Sequence, residues 1–425
     1  MCFIRRHCNN KISSIRYSKV YINLEKLDKG NLPAAVTLIL ARIVYAINWF
    51  NIASIFSHIA SDFKQDVSLL GLITASFFVG VGTFQIPGGI IAAKQGARKT
   101  AIYGITIASS AALLCGISSQ LQEIEILRFI VGLGMAFFFG SSVTLITTYL
   151  GKGSEGLGVG LLNSAHSIGG IIGLFGWVIL AEIIGWRQSF VLSGGLGLVT
   201  SLFLVVLSPS KQQENVRGFK IRISDIKRII FDKDLFGFGL ILLGAQIAWG
   251  LPLTFIVFYM EDSLKINSAM AGLVGSLSLM FSLVTAPVFG MIYDRITHVK
   301  KLLFFCGLGM SISVAAIGII ENKSALYVVV VSTLLVGIFS SGVFTIVYTA
   351  SKESYRIRNP YLHSKYETLS VSWVNGLSLF GAFWVPVVFS SIVHHLGYQI
   401  AWLLGGIFSI LFVLPPILRI ERYKD

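Results

Sequence analysis

Along most of this chain, apolar residues run in stretches of 20 or more, separated by short clusters of charge. A hydrocarbon core about 30 Å thick takes about 20 helical residues to cross. The pattern predicts twelve such helices, at 34–58, 68–92, 100–119, 124–149, 157–182, 187–207, 235–259, 267–293, 301–320, 325–350, 367–393 and 399–418. Lipid offers backbone groups no hydrogen-bond partner, so each segment is read as a helix that satisfies its own. The longest polar interval, 208–234, divides the twelve into six and six. Within it Phe219, Ile223, Ile226 and Ile230 recur at helical spacing among Lys220, Arg222, Lys227 and Arg228. That pattern predicts an amphipathic helix lying on the cytoplasmic leaflet. The expected organisation is a basic tail at 1–33, a first bundle at 34–207, the linker at 208–234, a second bundle at 235–418 and a short tail at 419–425.

Composition supports a membrane interior and bears on partners. Of the 425 residues, 54% are hydrophobic and 13% charged, against roughly 25% charged in soluble globular proteins. The formal net charge is +14, yet the basic residues form no stripe and no nucleic-acid motif, so nucleic acid is not an expected partner. Their placement sets topology instead, because cytoplasmic loops collect Lys and Arg. With the amino terminus inside, all but six of the 34 Lys and Arg residues fall on the cytoplasmic side. The exceptions are Lys64, Arg187, Lys265 and Lys323 in outer loops and Arg42 and Arg128 within spans. Both termini are therefore expected in the cytoplasm, with the protein a monomer spanning the cell membrane. Cys2, Cys8, Cys115 and Cys306 show no metal-ligand or disulfide spacing and are read as thiols. No metal and no cofactor is expected.

The two sets of six resemble each other. A shift of 201 residues aligns Gly71-Leu72 with Gly272-Leu273 and Gly89 with Gly290, with Pro87 and Pro287 one place out of register. A shift of 212 aligns Glu155, Leu157, Val159, Asn163, Gly169 and Gly185 with Glu367, Leu369, Val371, Asn375, Gly381 and Gly397. The longer loop at 351–366 absorbs the change of shift. Internal repeats of this kind produce two pseudo-symmetric six-helix bundles.

The loop after the second span reads Gly89-Ile-Ile-Ala-Ala-Lys94-Gln-Gly96-Ala-Arg98-Lys99, and its repeat reads Gly290-Met-Ile-Tyr-Asp294-Arg295 followed by Lys300-Lys301. The fourth span carries Arg128-Phe-Ile-Val-Gly132-Leu-Gly134, and Gly185-Trp186-Arg187 is echoed by Gly397-Tyr398-Gln399. Together these resemble the signatures of the Major Facilitator Superfamily, over about residues 34–418. The resemblance implies an all-α membrane protein of twelve transmembrane helices in two bundles, acting as a secondary transporter by alternating access and not as an enzyme. It further implies that Gly89, Lys94, Gly96, Arg98, Lys99, Gly290, Asp294 and Arg295 form a cytoplasmic latch. Glycine lets helices touch there, and charges cap helix ends or pair across the halves. The alternative role for these basic residues is topology alone. Ala93 stands where the family usually has an aspartate, so the second-half copy is expected to latch better. The stretch Asn163-Ser-Ala-His166-Ser-Ile-Gly169-Gly170 lacks the proline of proton-linked drug exporters of the family, which disfavours drug export.

Charge within a bilayer is costly, so each ionisable residue inside a span is a candidate for function. These are Arg42, Arg128 and His166; no Asp or Glu lies deep in any span. A cationic cargo needs a buried carboxylate, whereas two arginines and a histidine call for an anion. The expected partner is thus a small organic or inorganic anion, with a coupling proton or second solute. The readings kept beside it are a neutral solute such as a sugar, and a non-transporting receptor or scaffold. Tyr45 and Trp49 follow Arg42 at i+3 and i+7, and Asn163 shares a helix face with His166. Gln246, Trp249 and Asn375 complete the candidate binding set from the second half. For Arg42 the competing role is snorkelling to the interface, for Arg128 bonding to neighbouring carbonyls, and for the asparagines interhelical hydrogen bonds.

Overall fold

The computed structural model describes residues 31–64, 70–151, 153–209, 223–266, 268–296, 298–319, 325–358 and 365–419. Cys2, Cys8, both tails beyond these limits and the first part of the linker, with Phe219, Lys220 and Arg222, lie outside the described residues. The helices are α1 Leu32–Phe63, α2 Leu70–Gln95, α3 Ala97–Cys115, α4 Leu121–Leu150, α5 Glu155–Ile171, α6 Trp177–Ile184, α7 Trp186–Leu207, α8 Ile223–Ile230, α9 Lys233–Asp262, α10 Ser268–Arg295, α11 Val299–Ala316, α12 Ala325–Arg358, α13 Lys365–Ala382 and α14 Val385–Arg419.

The protein is an all-α membrane protein built from two six-helix halves. Among the described residues ten helices are long and apolar enough to cross a membrane on composition alone. The two remaining segments of the twelve are the most polar. α3 opens with Arg98 and Lys99, and α13 carries Lys365, Glu367, Asn375 and three serines. Both face protein rather than lipid on their polar sides: Thr100, Ser109, Thr368, Ser370, Ser372, Asn375 and Ser378 are all buried.

Two spans differ from the pattern read off the sequence. The fifth, expected as one helix, is α5 and α6 joined through a π-helical turn at Ile172–Gly176. Glycines on its inner face draw it against α1: a Cβ on Gly169 would lie 2.2 Å from the Ile43 carbonyl oxygen. The eleventh span is α13 plus the first part of α14, which ends at Gly397 with φ 82°, where the twelfth begins. Gly185, its repeat mate, has φ 84° at the α6–α7 corner. With ψ of 154° and 170°, both sit in an extended positive-φ region that is essentially glycine's alone and costs an L-residue about 1–3 kcal/mol. Gly397→Ala is therefore expected to destabilise the fold by about that amount, read as a lowered thermal midpoint of the detergent-solubilised protein. An unchanged midpoint would show that the corner relaxes freely.

Packing repeats between the halves. α2 and α3 flank α4 as α10 and α11 flank α12, and α1 packs on α5 and α7 as α9 packs on α13 and α14. The halves meet along two seams, α5 with α10 and α2 with α13. At the corner after α1, Trp186 Nε1 donates to Asp62 Oδ2 at 2.9 Å and Arg187 forms an ion pair with the same oxygen. These two contacts hold the Asp62 carboxyl below its usual range. The linker helix α8 is amphipathic as expected, but its apolar face is turned onto protein. Ile229 is fully buried against the second half, where α8 meets α9 and α13, while Lys227 and Arg228 stay exposed. An eight-residue helix covers little lipid, and α9 and α13 offer it an apolar surface already in place.

Candidate functional site

A cavity of about 60 Å³ lies between the halves, lined by Arg42, Tyr45, Trp49, Phe139, Asn163, His166, Ser167, Gln246, Trp249, Ser282, Ser341, Phe344, Tyr348, Asn375 and Leu379. Each half supplies one wall. In the first, α1 turns Arg42, Tyr45 and Trp49 inward on a single stripe, since residues three, four and seven apart share a helix face. α5 does the same with Asn163, His166 and Ser167. In the second, α9 brings Gln246 and Trp249, α12 brings Ser341, Phe344 and Tyr348, and α13 brings Asn375.

Arg42 is 4% exposed, and its Nε and Nη1 have no hydrogen-bond partner. Its guanidinium carbon lies 4.2 Å from the Tyr45 ring centroid and 4.9 Å from that of Phe139. Two aromatic faces thus hold the cation and leave its Nε and Nη1 unused. Among the described residues no Asp or Glu lines the cavity. The His166 ring lies within 5.6–6.2 Å of Phe50, Tyr45, Trp49 and Trp249, and its Nδ1 has no partner. The repeat-related asparagines are both engaged: Asn163 Nδ2 donates to Thr345 Oγ1 across the halves at 3.0 Å, and Asn375 Oδ1 accepts from Tyr348 at 2.8 Å. Phe50 meets Trp249 at 6.2 Å between centroids, so aromatic rings from both halves meet beside His166.

Arg128 stands apart from the cavity. It is 1% exposed, donates through Nη1 to the Asn48 carbonyl at 2.7 Å and through Nη2 to that of Trp49 at 3.4 Å, and lies over Phe77. Asn48 and Asn51 reach Ser193 of α7, so Arg128 belongs to a polar knot tying α1, α4 and α7 together. Of the nine residues singled out for binding, the other eight line the cavity. Phe139, Ser167, Ser282, Ser341, Phe344, Tyr348 and Leu379 were not singled out. Ser341 and Tyr348 carried a signal, being polar groups two helical turns apart on one face of an apolar run.

On the side that bears the linker, the halves touch. Asp294, at the end of α10, accepts from the backbone N–H groups of Gly156 and Leu157 at 2.9 and 3.1 Å. Its carboxylate therefore caps the amino terminus of α5 in the other half, where both the unpaired amides and the helix dipole favour negative charge. Backbone contact makes this possible, for a Cβ on Gly290 would lie 2.2 Å from the Gly156 carbonyl oxygen. In the other seam Gly89 packs against Leu369 and Ser372. Ala93, the repeat mate of Asp294, is buried and supplies no acceptor. The basic residues act within their own half or face outward. Arg98 donates to the carbonyls of Ser208 and Val205 at the end of α7, Gly96 turns the α2–α3 corner with φ 93°, and Lys94, Lys99 and Arg295 are exposed. Further cross-links on this side join Thr144 to Thr368 at 2.7 Å and Lys352 to Thr147, with Lys352 also 3.4 Å from Glu367.

Comparison with known proteins agrees with this architecture. The family model of the Major Facilitator Superfamily matches residues 38–259 and 238–425. The "Probable sulfoacetate transporter SauU" of Cupriavidus necator is 28% identical over 36% of this chain and 36% of its own. The "Probable galactarate/D-glucarate transporter GudP" of Escherichia coli is 29% identical over 38% of this chain and 37% of its own. The chain thus spans little more than a third of the length of these two relatives. In fold, the crystal structure of the transporter FucP in the outward conformation aligns with a TM-score of 0.70 at 13% identity, over 93% of this chain and all of that one. The two-half helical fold, the repeat and the family match agree, and the chain belongs to the Major Facilitator Superfamily of secondary transporters.

Proposed function

We propose that this protein carries a small organic anion across the cell membrane by alternating access, with Arg42 holding the acid group. The observation that carries the reading is the state of that arginine: buried between two rings, two N–H groups unpaired, and no carboxylate lining its cavity. A buried cation of this kind needs a counter-charge, and a guanidinium binds carboxylate, sulfonate or phosphate with two parallel hydrogen bonds. Aromatic rings around it suit the body of an organic acid, while Gln246, Asn163 and Asn375 offer hydrogen bonds to neutral polar groups. The similarity to transporters named for sulfoacetate and for galactarate and D-glucarate supports the same class.

The linker side, richest in Lys and Arg, is assigned to the cytoplasm. With Asp294 capping α5, the halves are closed there, and rocking them apart would release the cargo inward. A ligand that binds the folded state raises its melting temperature, by about 2.7 kcal/mol of stability at a hundred times its dissociation constant. Purified protein is expected to be stabilised by one or more of sulfoacetate, D-glucarate, D-glucuronate and phosphate, and not by L-fucose, D-xylose or betaine. Stabilisation by a neutral sugar alone would overturn the anionic assignment.

A further inference from the structure

Resting on that reading, we infer that the protein is an obligate anion exchanger: the cavity returns across the membrane only when it holds a second anion. The argument turns on charge balance during the return stroke. To switch, the halves must close around the cavity and enclose the Arg42 guanidinium, a delocalised cation. Enclosing an unpaired charge carries a desolvation penalty that a paired charge largely recovers. A bound anion removes the penalty on the loaded stroke. On the empty stroke something in the protein would have to do so.

An arginine-bearing carrier can return empty if a nearby carboxylate is ionised when the site is empty and protonated when it is full. This cavity has no such group. Among the described residues its lining contains no Asp or Glu, and in the sequence no acid lies deep in any of the twelve spans. Along the lining helices the described carboxylates sit at helix ends and not in the cavity. Away from the linker, Asp62 of α1 pairs with Arg187, and Glu123 of α4, with Glu125 beside it, accepts from the Ser119 and Gln120 amides. At the linker side the groups are engaged. Glu353 accepts from the Tyr293 hydroxyl at 2.7 Å, Glu367 pairs with Lys352, Asp294 caps α5, and Glu155 accepts from the Gly153 amide. The titratable groups that do face Arg42 have the wrong sign. His166 gains positive charge when it takes a proton, which adds to the guanidinium instead of cancelling it. Tyr45 and Tyr348 bring phenol hydroxyls, which carry no negative charge. The Tyr45 and Phe139 faces attract the cation, but a quadrupole carries no net charge. A proton therefore cannot clear the site for return, and a second anion can. The driving force follows: the gradient of a counter-anion of the same chemical class, and not the proton gradient.

The test is uptake of radiolabelled sulfoacetate, D-glucarate and phosphate, each separately, into vesicles reconstituted with the full chain. Potassium and valinomycin clamp the membrane potential, so that charge build-up cannot mimic exchange. One set of vesicles is loaded with the unlabelled probe and another with potassium chloride only. Uptake into the preloaded set is expected to exceed that into the chloride set by at least about ten-fold, and an inward proton gradient is expected not to restore uptake in the chloride set. Comparable uptake into both sets, or uptake driven by the proton gradient, overturns obligate exchange while leaving the anion reading intact. Entry of no probe under any condition, from a preparation that keeps its thermal transition, overturns the anion reading and the exchange inference with it.

Discussion

Replacing Arg42 with glutamine is expected to abolish transport of the native anion while leaving the protein folded. Glutamine removes the charge and the planar fork but fits the space between Tyr45 and Phe139, so no large cavity opens. Arg42→Lys is the sharper variant, because it keeps the charge and loses the two-point geometry. The expected loss in apparent affinity for lysine is about 1–3 kcal/mol, the scale of a charge-assisted hydrogen bond, or roughly five- to 150-fold. Glutamine should fall below it. The measurement is initial uptake rate against concentration for both variants, with thermal midpoints as the control for folding. Wild-type rate and affinity in Arg42→Gln would show that the arginine only snorkels. A matching substitution at Arg128 is expected to act differently. It breaks the knot with the Asn48 and Trp49 carbonyls, so it should lower stability more than it changes selectivity among anions.

The second large effect is expected at the latch. Asp294→Ala removes both bonds to the α5 amides and leaves the Gly156–Gly290 contact unsupported. Water replaces part of the loss once the seam opens. The net cost to the closed linker side is then about 2 kcal/mol, which is roughly a 30-fold shift in the ratio of the two conformers. Gly290→Ala should push the same way by steric clash. Cysteine-accessibility labelling of positions on the linker side reports the shift directly. Ala93→Asp should move the population less, in the closing direction, because it adds an acceptor in the seam that now lacks one. Equal effects of the two aspartate substitutions would remove the basis for treating the seams as unequal.

Much of the fold was legible because lipid leaves the chain few choices. Hydropathy gave the spans, and the two shifts paired glycines that turn out to occupy matching corners, Gly185 and Gly397, at nearly the same φ. The break inside the fifth span was not legible, since glycines at 169, 170, 173 and 176 mark close packing equally well without a π turn. The linker helix was legible as amphipathic, but nothing in its pattern distinguishes a lipid surface from the flank of α9 and α13. At the site, charge was informative because burying it is costly, and that cost drew attention to Arg42, His166 and Arg128 alike. Telling Arg42 from Arg128 needed the rotation of each helix about its axis, which no local pattern supplies. The aromatic wall was illegible for a different reason. With 31 phenylalanines in the chain, Phe139 and Phe344 look like any other lipid-facing or packing residue until the bundles are assembled. The loop carrying Asp294 was legible as a motif, yet the contact it makes across the halves is a carboxylate on backbone amides, with the basic residues placed elsewhere.

The most direct measurement is a structure of the protein with an anion that stabilises it. The acid group is expected within about 2.7–2.9 Å of Arg42 Nε or Nη1, the range of charge-assisted hydrogen bonds, with its body against Tyr45, Trp49 and Trp249. An anion bound elsewhere, with the Arg42 fork still empty, would contradict the account.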